Sequence, residues 1–217
     1  MYSLFDQSNS SDTVFQQLSD EWVREPVLLR EWSARAEIAT IRSAAIAPAT
    51  GALLRLLIQL QRPQHILEIG TQWGYSTYWL AAGALPTTQI TTIEKHDKHH
   101  RFAQQFFAAA GLQQIDLHWG DALQIIPQLS SRFDFIFIDA DRAEYDQYLQ
   151  TITPHLIPGA LIVIDNALAH LVDSTRTSPT QLQALQHMND LLHDSGHWQV
   201  VPLPSWNDLL LVQYVCQ

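Results

Sequence analysis

The sequence predicts a doubly wound α/β fold, a mostly parallel sheet covered by helices on both faces, and three observations carry that reading. After Pro63, short apolar runs alternate with stretches of helical spacing, as strand and helix taking turns require. The runs Phe133–Asp139 and Ala160–Asp165 are almost continuously apolar, the pattern of central parallel strands covered on both sides. The last two strand-like runs are separated only by Pro202 to Asp208, too little chain for a helical crossover, so they are expected to pair antiparallel.

From Asp12 to about Leu60 the spacing is helical, with Trp22, Val23, Val27, Leu28 and Trp32 at three- and four-residue intervals and Pro26 as an interruption. A further helix starts at Pro48, a residue tolerated in a first turn, and runs through Leu53, Leu54, Leu56, Leu57 and Leu60. Strand His65–Ile69, helix Tyr75–Ala84, strand Gln89–Glu94, helix Lys98–Ala110 and strand Ile115–Trp119 follow. After Phe133–Asp139 and Ala160–Asp165 come a helix over Thr180–Asp194 and strands Trp198–Val201 and Leu209–Val215. That makes a seven-stranded sheet whose terminal strand is reversed. No repeat, low-complexity tract or linker divides the chain. One domain over 1–217 is expected, with N-terminal helices over 1–60 and the α/β core over 64–217.

Composition narrows the function. Apolar residues are 47% of the chain and charged residues 16%, which fits a packed globular core and not a disordered chain. The formal charge of −10 opposes phosphate contacts, so a nucleic-acid partner is not expected and a small-molecule substrate is. No apolar run reaches signal-peptide or membrane-helix length, which points to a cytoplasmic protein with no membrane partner. The single Cys216 cannot form an internal disulfide or a thiolate metal site.

Ligands of open α/β sheets lie beyond the carboxyl ends of the strands, so the residues just after each run carry the functional signal. The first run continues as Glu68-Ile69-Gly70-Thr71-Gln72-Trp73-Gly74-Tyr75-Ser76, where Gly70 and Gly74 allow a tight turn against a ligand. This is not the G-x-G-x-x-G of a dinucleotide site, which disfavours a nicotinamide oxidoreductase. The second run ends in Glu94, placed to accept hydrogen bonds from ribose hydroxyls. Glu68 suits a cationic, zwitterionic nucleoside ligand and would repel pyrophosphate. Asp139 and the pair Asp165-Asn166 end two central strands, and their three oxygens can converge on a hard cation such as Mg²⁺, with Mn²⁺ or Ca²⁺ as alternatives. His96, His99 and His100 stand among Lys95, Asp97, Lys98 and Arg101 and read as a solvated face.

These motifs, with Ile66-Leu67-Glu68-Ile69-Gly70-Thr71, Gly120-Asp121-Ala122, Phe137-Ile138-Asp139-Ala140-Asp141 and Ile164-Asp165-Asn166 in that order, resemble the metal-dependent O-methyltransferases of the caffeoyl-CoA and catechol type. The likeness runs from about Ile46 to the C-terminus. It implies a Rossmann-like methyltransferase fold, S-adenosylmethionine as cofactor, a hydroxylated aromatic acceptor and a homodimer. On this resemblance Glu68, Gly70 and Ser76 hold the amino-acid part of the cofactor and Glu94 its ribose. Asp121 and Ala122 flank the adenine, Ile46 and Asp141 are further cofactor contacts, and Asp139, Asp165 and Asn166 are the metal ligands. His170 matches a substrate-side position.

The chain departs from that family three residues after the metal aspartate. There the usual lysine base is replaced by Arg142, which cannot deprotonate at ordinary pH but can stabilise an oxyanion, so Asp139 and Arg142 are the expected catalytic pair. The loop Pro204-Ser205-Trp206-Asn207 also differs from the family's glycine-containing turn, and Trp206, with Trp22 and Trp32, is a candidate for contact with a flat acceptor. Two other readings stay open: methylation of a wobble hydroxyuridine in tRNA on the same scaffold, and a cofactor-binding protein whose catalysis is impaired.

Overall fold

The computed structural model describes residues 21–35, 45–168, 177–194, 196–203 and 208–215. In chain order its main elements are α1 (Val27–Ser33), α2 (Pro48–Gln61), β1 (His65–Ile69), α3 (Tyr75–Gly83), β2 (Gln89–Glu94), α4 (Asp97–Ala110), β3 (Ile115–Trp119), α5 (Ala122–Ile125), β4 (Phe133–Ile138), α6 (Tyr145–Ile152), β5 (Leu156–Ile164), α7 (Pro179–Asp194), β6 (Trp198–Leu203) and β7 (Leu209–Tyr214). The strands form one sheet in the order β3-β2-β1-β4-β5-β7-β6, parallel from β3 to β5. Strand β7 runs antiparallel to both of its neighbours. Among the described residues no helix is long and apolar enough to cross a membrane.

Strand periodicity divides the core. Side chains alternate across a pleated sheet, so neighbours in one strand enter different layers. Leu67, Ile136, Ile138, Ile162 and Ile164 pack on one face with Tyr145, Leu149, Leu185 and Met188 of α6 and α7. Ile66, Phe135, Phe137 and Val163 pack on the other with Leu54 and Ile58 of α2, Trp79 of α3 and Phe106 of α4. The near-continuous apolar runs of β4 and β5 are the sequence trace of these two dry layers. On the second face α2 and α3 touch at Gly51, where a Cβ would lie 2.4 Å from the Trp79 ring, so the helices pack this closely only around a glycine.

The structure adds detail to three sequence expectations. The reversed strand β7 is inserted between β5 and β6 and does not form the rim. Its Leu209, Leu210 and Val212 are buried, whereas β6 alternates and carries an exposed Pro202, which a rim strand tolerates because it lacks a neighbour on one side. Strand β5 begins at Leu156, four residues before Ala160, because its first part contains exposed Pro158 and Gly159 and its register to β4 shifts between Phe133 and Phe135. The half-buried Trp32 packs its ring against Phe106, 5.3 Å between centroids, while Trp22 is exposed.

Candidate active site

Four residues that each follow directly on a parallel strand continue the hydrogen-bond ladder past its end, and three of them, Gly70, Gly120 and Asp139, form the floor of a cavity. Gly120 N donates to Glu94 O, Gly70 N to Ile93 O, Asp139 N to Ile69 O and Asp165 N to Ile138 O, all at 2.9–3.0 Å. The strands therefore stop level with one another, and whatever follows them faces the same opening. Gly70 is required there: it has φ +98°, and a Cβ would come 2.0 Å from the Asp139 carbonyl oxygen. Any side chain would push the first and fourth strands apart.

Above this floor lies a cavity of about 470 Å³. Of the expected cofactor residues, Ile46, Gly70, Ser76, Glu94, Ala122 and Asp141 line it, as does Asp139. Glu94 is almost wholly buried, and both its oxygens hold backbone: Oε2 accepts from Gln72 N and Oε1 from His96 N, each at 2.7 Å. This carboxylate fixes the turn after β1 against the turn after β2. Gln72 itself sits at φ +51°, in the left-handed region that a non-glycine residue occupies only when its surroundings impose it.

Two expected cofactor contacts lie elsewhere. Glu68 is completely buried beneath the floor and does not line the cavity. Its Oε2 accepts from the hydroxyls of Thr77 at 2.5 Å and Thr92 at 2.6 Å, while Oε1 has no partner. Burial raises its pKa, against the lowering effect of the hydroxyls of Ser76, Thr77 and Thr92. Asp121 does not line the cavity either. It caps α5, its Oδ1 accepting from Leu123 N at 3.0 Å, which is what an Asp in this position does for the exposed amides of a helix start. Asp141 combines both roles, lining the cavity and accepting from Ala143 N at 3.0 Å.

At the β4–β5 end the electrostatics differ. Asp165 is buried and Asp139 half-buried, and both carboxyls are driven up. Burial, then the charge of Glu68, raises Asp139 from 3.8 to about 7. Burial, then the charge of Asp139, raises Asp165 well above its ordinary value. Asp165 Oδ2 accepts from the Asn166 amide nitrogen, which leaves the Asn166 amide oxygen for another contact, and Asp165 Oδ1 is buried with no partner. Asn166 is held at φ +54°. Tyr145, fully buried, donates to the Asp165 backbone oxygen at 3.0 Å. The half-buried Arg142 lowers Asp165 and Tyr145 without outweighing burial.

A cation fits this end. A carboxylate pair with raised pKa values, Asp139 next to the charge of Glu68 and Asp165 next to that of Asp139, with one buried oxygen unsatisfied, is the arrangement that a bound positive charge relieves. Among the described residues no cluster of three His, Cys, Asp or Glu side chains is found, and Asn166, beside Asp165, offers an amide oxygen as a further donor. His170 and Trp206 lie outside the described residues.

Four lining residues escaped the sequence reading: Lys95, His96, His99 and Tyr148. His99 is not on a solvated face; its side chain is 23% exposed, and Nδ1 lies 3.7 Å from Glu94 Oε1. Tyr148 donates to Glu144 Oε2 at 2.5 Å, and Lys95 pairs with Glu144 Oε1 at 3.4 Å, joining the turn after β2 to the segment after β4. On the opposite wall Tyr75 donates to Glu25 Oε1 at 2.7 Å, tying the segment before α1 to the start of α3.

A family model described as O-methyltransferase matches residues 18–214. A catechol O-methyltransferase from Niastella koreensis is 38% identical over 154 residues, covering 68% of this chain and 69% of the relative. Among solved structures, an O-methyltransferase from Bacillus cereus in complex with S-adenosylhomocysteine superposes with a TM-score of 0.84 at 28% identity, covering 94% of this chain and 97% of that one. The O-methyltransferase TomG from Streptomyces achromogenes, involved in tomaymycin synthesis and in complex with S-adenosylmethionine, gives a TM-score of 0.83 at 26% identity over 100% of both chains.

Proposed function

Because this chain belongs to the O-methyltransferase family, we propose that it transfers the methyl group of S-adenosylmethionine to a catechol-like or phenolic hydroxyl of a small molecule, assisted by a divalent cation. The observation that carries the metal-assisted reading is the Asp139–Asp165 pair: Asp139 lines the cavity whose other end is framed by Glu94, and the buried Asp165 beside it has an oxygen with no partner. Relatives named as catechol O-methyltransferases and neighbours solved with S-adenosylmethionine or S-adenosylhomocysteine support the acceptor and cofactor classes.

In this reading Glu94 takes the cofactor's ribose hydroxyls with the lone pairs that its two backbone donors leave free, since a carboxylate accepts about four hydrogen bonds. Gly70 and Ser76 border the amino-acid part, Ala122 and Ile46 give apolar contact, and Asp141 stands at the rim. Glu68 acts from below, holding Thr77 and Thr92 and, through them, the start of α3 against β2. Asp121 shapes the adenine end by capping α5. S-adenosylmethionine supplies an electrophilic methyl on a cationic sulfonium.

Asp139, Asp165 and Asn166 would hold the cation, Mg²⁺ or Mn²⁺ by the oxygen-rich donor set, and it would supply Lewis acidity toward the acceptor hydroxyl. A guanidinium is a cation and no general base, so Arg142 contributes fixed positive charge on the Asp165 side of the site. The acceptor's proton then leaves to solvent. Tyr145 positions Asp165 by its hydrogen bond to that residue's backbone.

The test is incubation of the purified protein with methyl-labelled S-adenosylmethionine, Mg²⁺ and a panel of catechols and phenols, with product masses and label positions read by mass spectrometry. The expected result is a single labelled methyl on oxygen. Labelling of hydroxyuridine-containing tRNA and of no phenol, or cofactor binding with no transfer to any acceptor, would overturn the acceptor assignment.

A further inference from the structure

Glu94 is held from three directions, and only one of its holders can change charge. Gln72 N and His96 N are backbone donors at 2.7 Å and stay donors at every pH. The third is the His99 imidazole, whose Nδ1 stands 3.7 Å from Oε1, a distance of ion pairing and beyond that of a formed hydrogen bond. His99 also lines the cavity, packed edge-on against the His96 ring with centroids 5.3 Å apart.

We propose that the His99 imidazole makes the cofactor's ribose subsite respond to protonation: its charged form pairs with the Glu94 carboxylate and competes with the ribose for it, while its neutral form leaves Glu94 free. The inference rests on the reading of Glu94 as the ribose acceptor. The charged groups acting on His99 are Glu94 at the end of β2, His96 in the turn before α4 and Lys98 on α4 itself. Burial lowers its pKa first, Glu94 raises it, and His96 and Lys98 lower it. Its place in the first turn of α4 adds a further penalty for positive charge, because the amides there point the same way.

A bound ribose changes this balance in one direction. It covers the half-exposed imidazole, which disfavours the charged ring, and its hydroxyls engage the same Glu94 oxygens that attract an imidazolium. Cofactor therefore binds best to neutral His99 and expels a proton from the charged form. Affinity falls as pH drops through the histidine range, by at most about tenfold per pH unit, the limit for one proton. The helix turn that presents His99 thus couples the cofactor's ribose subsite to the proton concentration of the solution.

The experiment is calorimetric titration of S-adenosylhomocysteine into the full chain and its His99→Asn and His96→Asn variants between about pH 5.5 and about pH 8, where histidine titrates. S-adenosylhomocysteine lacks the sulfonium charge, so simple repulsion of a cationic ligand does not enter. Each titration is run in two buffers of different ionisation enthalpy, which counts the protons released. For the unmodified chain we expect affinity to weaken several-fold toward the acid end, with proton release on binding. His99→Asn should abolish both effects while staying within about threefold of the unmodified chain at the alkaline end. His96→Asn should keep both effects but move their midpoint to higher pH, because it removes a neighbour that lowers the His99 pKa. An unchanged pH profile in His99→Asn, or a flat profile in the unmodified chain, would overturn the proposal. Failure of the unmodified chain to bind S-adenosylhomocysteine at any pH would overturn the cofactor reading itself, a result distinct from either of those.

Discussion

The two ends of the cavity treat buried carboxylates in opposite ways. At the β2 end Glu94 has a backbone donor on each oxygen and a histidine beside it, so its charge is matched within the protein. At the β4–β5 end Asp139 and Asp165 oppose each other, both are raised by burial, and one Asp165 oxygen has no partner. A preorganised acceptor needs no further charge to stand ready for a neutral hydroxyl, whereas a pair of crowded carboxylates is complete only with a cation. On the proposed reading, that difference assigns the cofactor's ribose to one end and the metal-assisted chemistry to the other.

Substitutions at the two ends should therefore fail differently. The largest effect is expected for Asp165→Ala. Removing a cation ligand should cost several kcal/mol of transition-state stabilisation, a drop in kcat on the order of a thousandfold, with S-adenosylhomocysteine affinity within a few-fold because Asp165 does not line the cavity. Parallel loss of cofactor binding by calorimetry would erase the division between the ends. Glu94→Ala should do the reverse, weakening S-adenosylhomocysteine by on the order of 1.5–3 kcal/mol, since it removes a charged acceptor and strands two backbone donors. Unchanged affinity would refute the ribose assignment.

The smallest effect is expected at Arg142, where a lysine desolvated beside a cation can lose its proton and act as a base. Arg142→Lys should raise turnover a few-fold at neutral pH and move the rising limb of kcat against pH to lower pH, whereas Arg142→Met should slow transfer. A lysine variant as impaired as the methionine one at every pH would assign Arg142 to a bidentate contact with an acidic acceptor.

The sheet was legible in the sequence because burial on both faces writes itself as uninterrupted apolar runs, and Gly70, Glu94 and Asp139 because they stand where those runs stop. Other features depend on partners distant in the chain. Glu68 is one residue from the end of β1, and nothing local separates a side chain facing the cavity from one sealed under it; the threonines that decide the matter are Thr77 and Thr92. Asp121 sits at a strand end too, but the four-residue helix it caps is too short to give a periodic signal. His99 lay hidden in a run of charged residues, and only the tight turn from β2 into α4 brings its ring back toward Glu94, five residues earlier. The insertion of β7 between β5 and β6 is a choice of pairing, which periodicity does not encode.

The central claim, that the Asp139–Asp165 pair is a cation site, is tested most directly by the thermal stability of the EDTA-treated chain against pH, with and without Mg²⁺. Asp139 has a folded pKa of about 7 against an ordinary 3.8, so the folded state binds the extra proton. Its contribution to stability is full below the ordinary value and is lost as pH rises through about 7. Glu68 slopes the same way, so Asp139→Asn serves as the control for a pH dependence unrelated to metal. We predict that the metal-free chain loses stability toward about pH 8 and that Mg²⁺ or Mn²⁺ raises Tm there by several degrees, with little effect near pH 5 and none in Asp139→Asn. An unchanged Tm at the alkaline end in the presence of either cation, together with full methyl transfer in EDTA, would contradict the account.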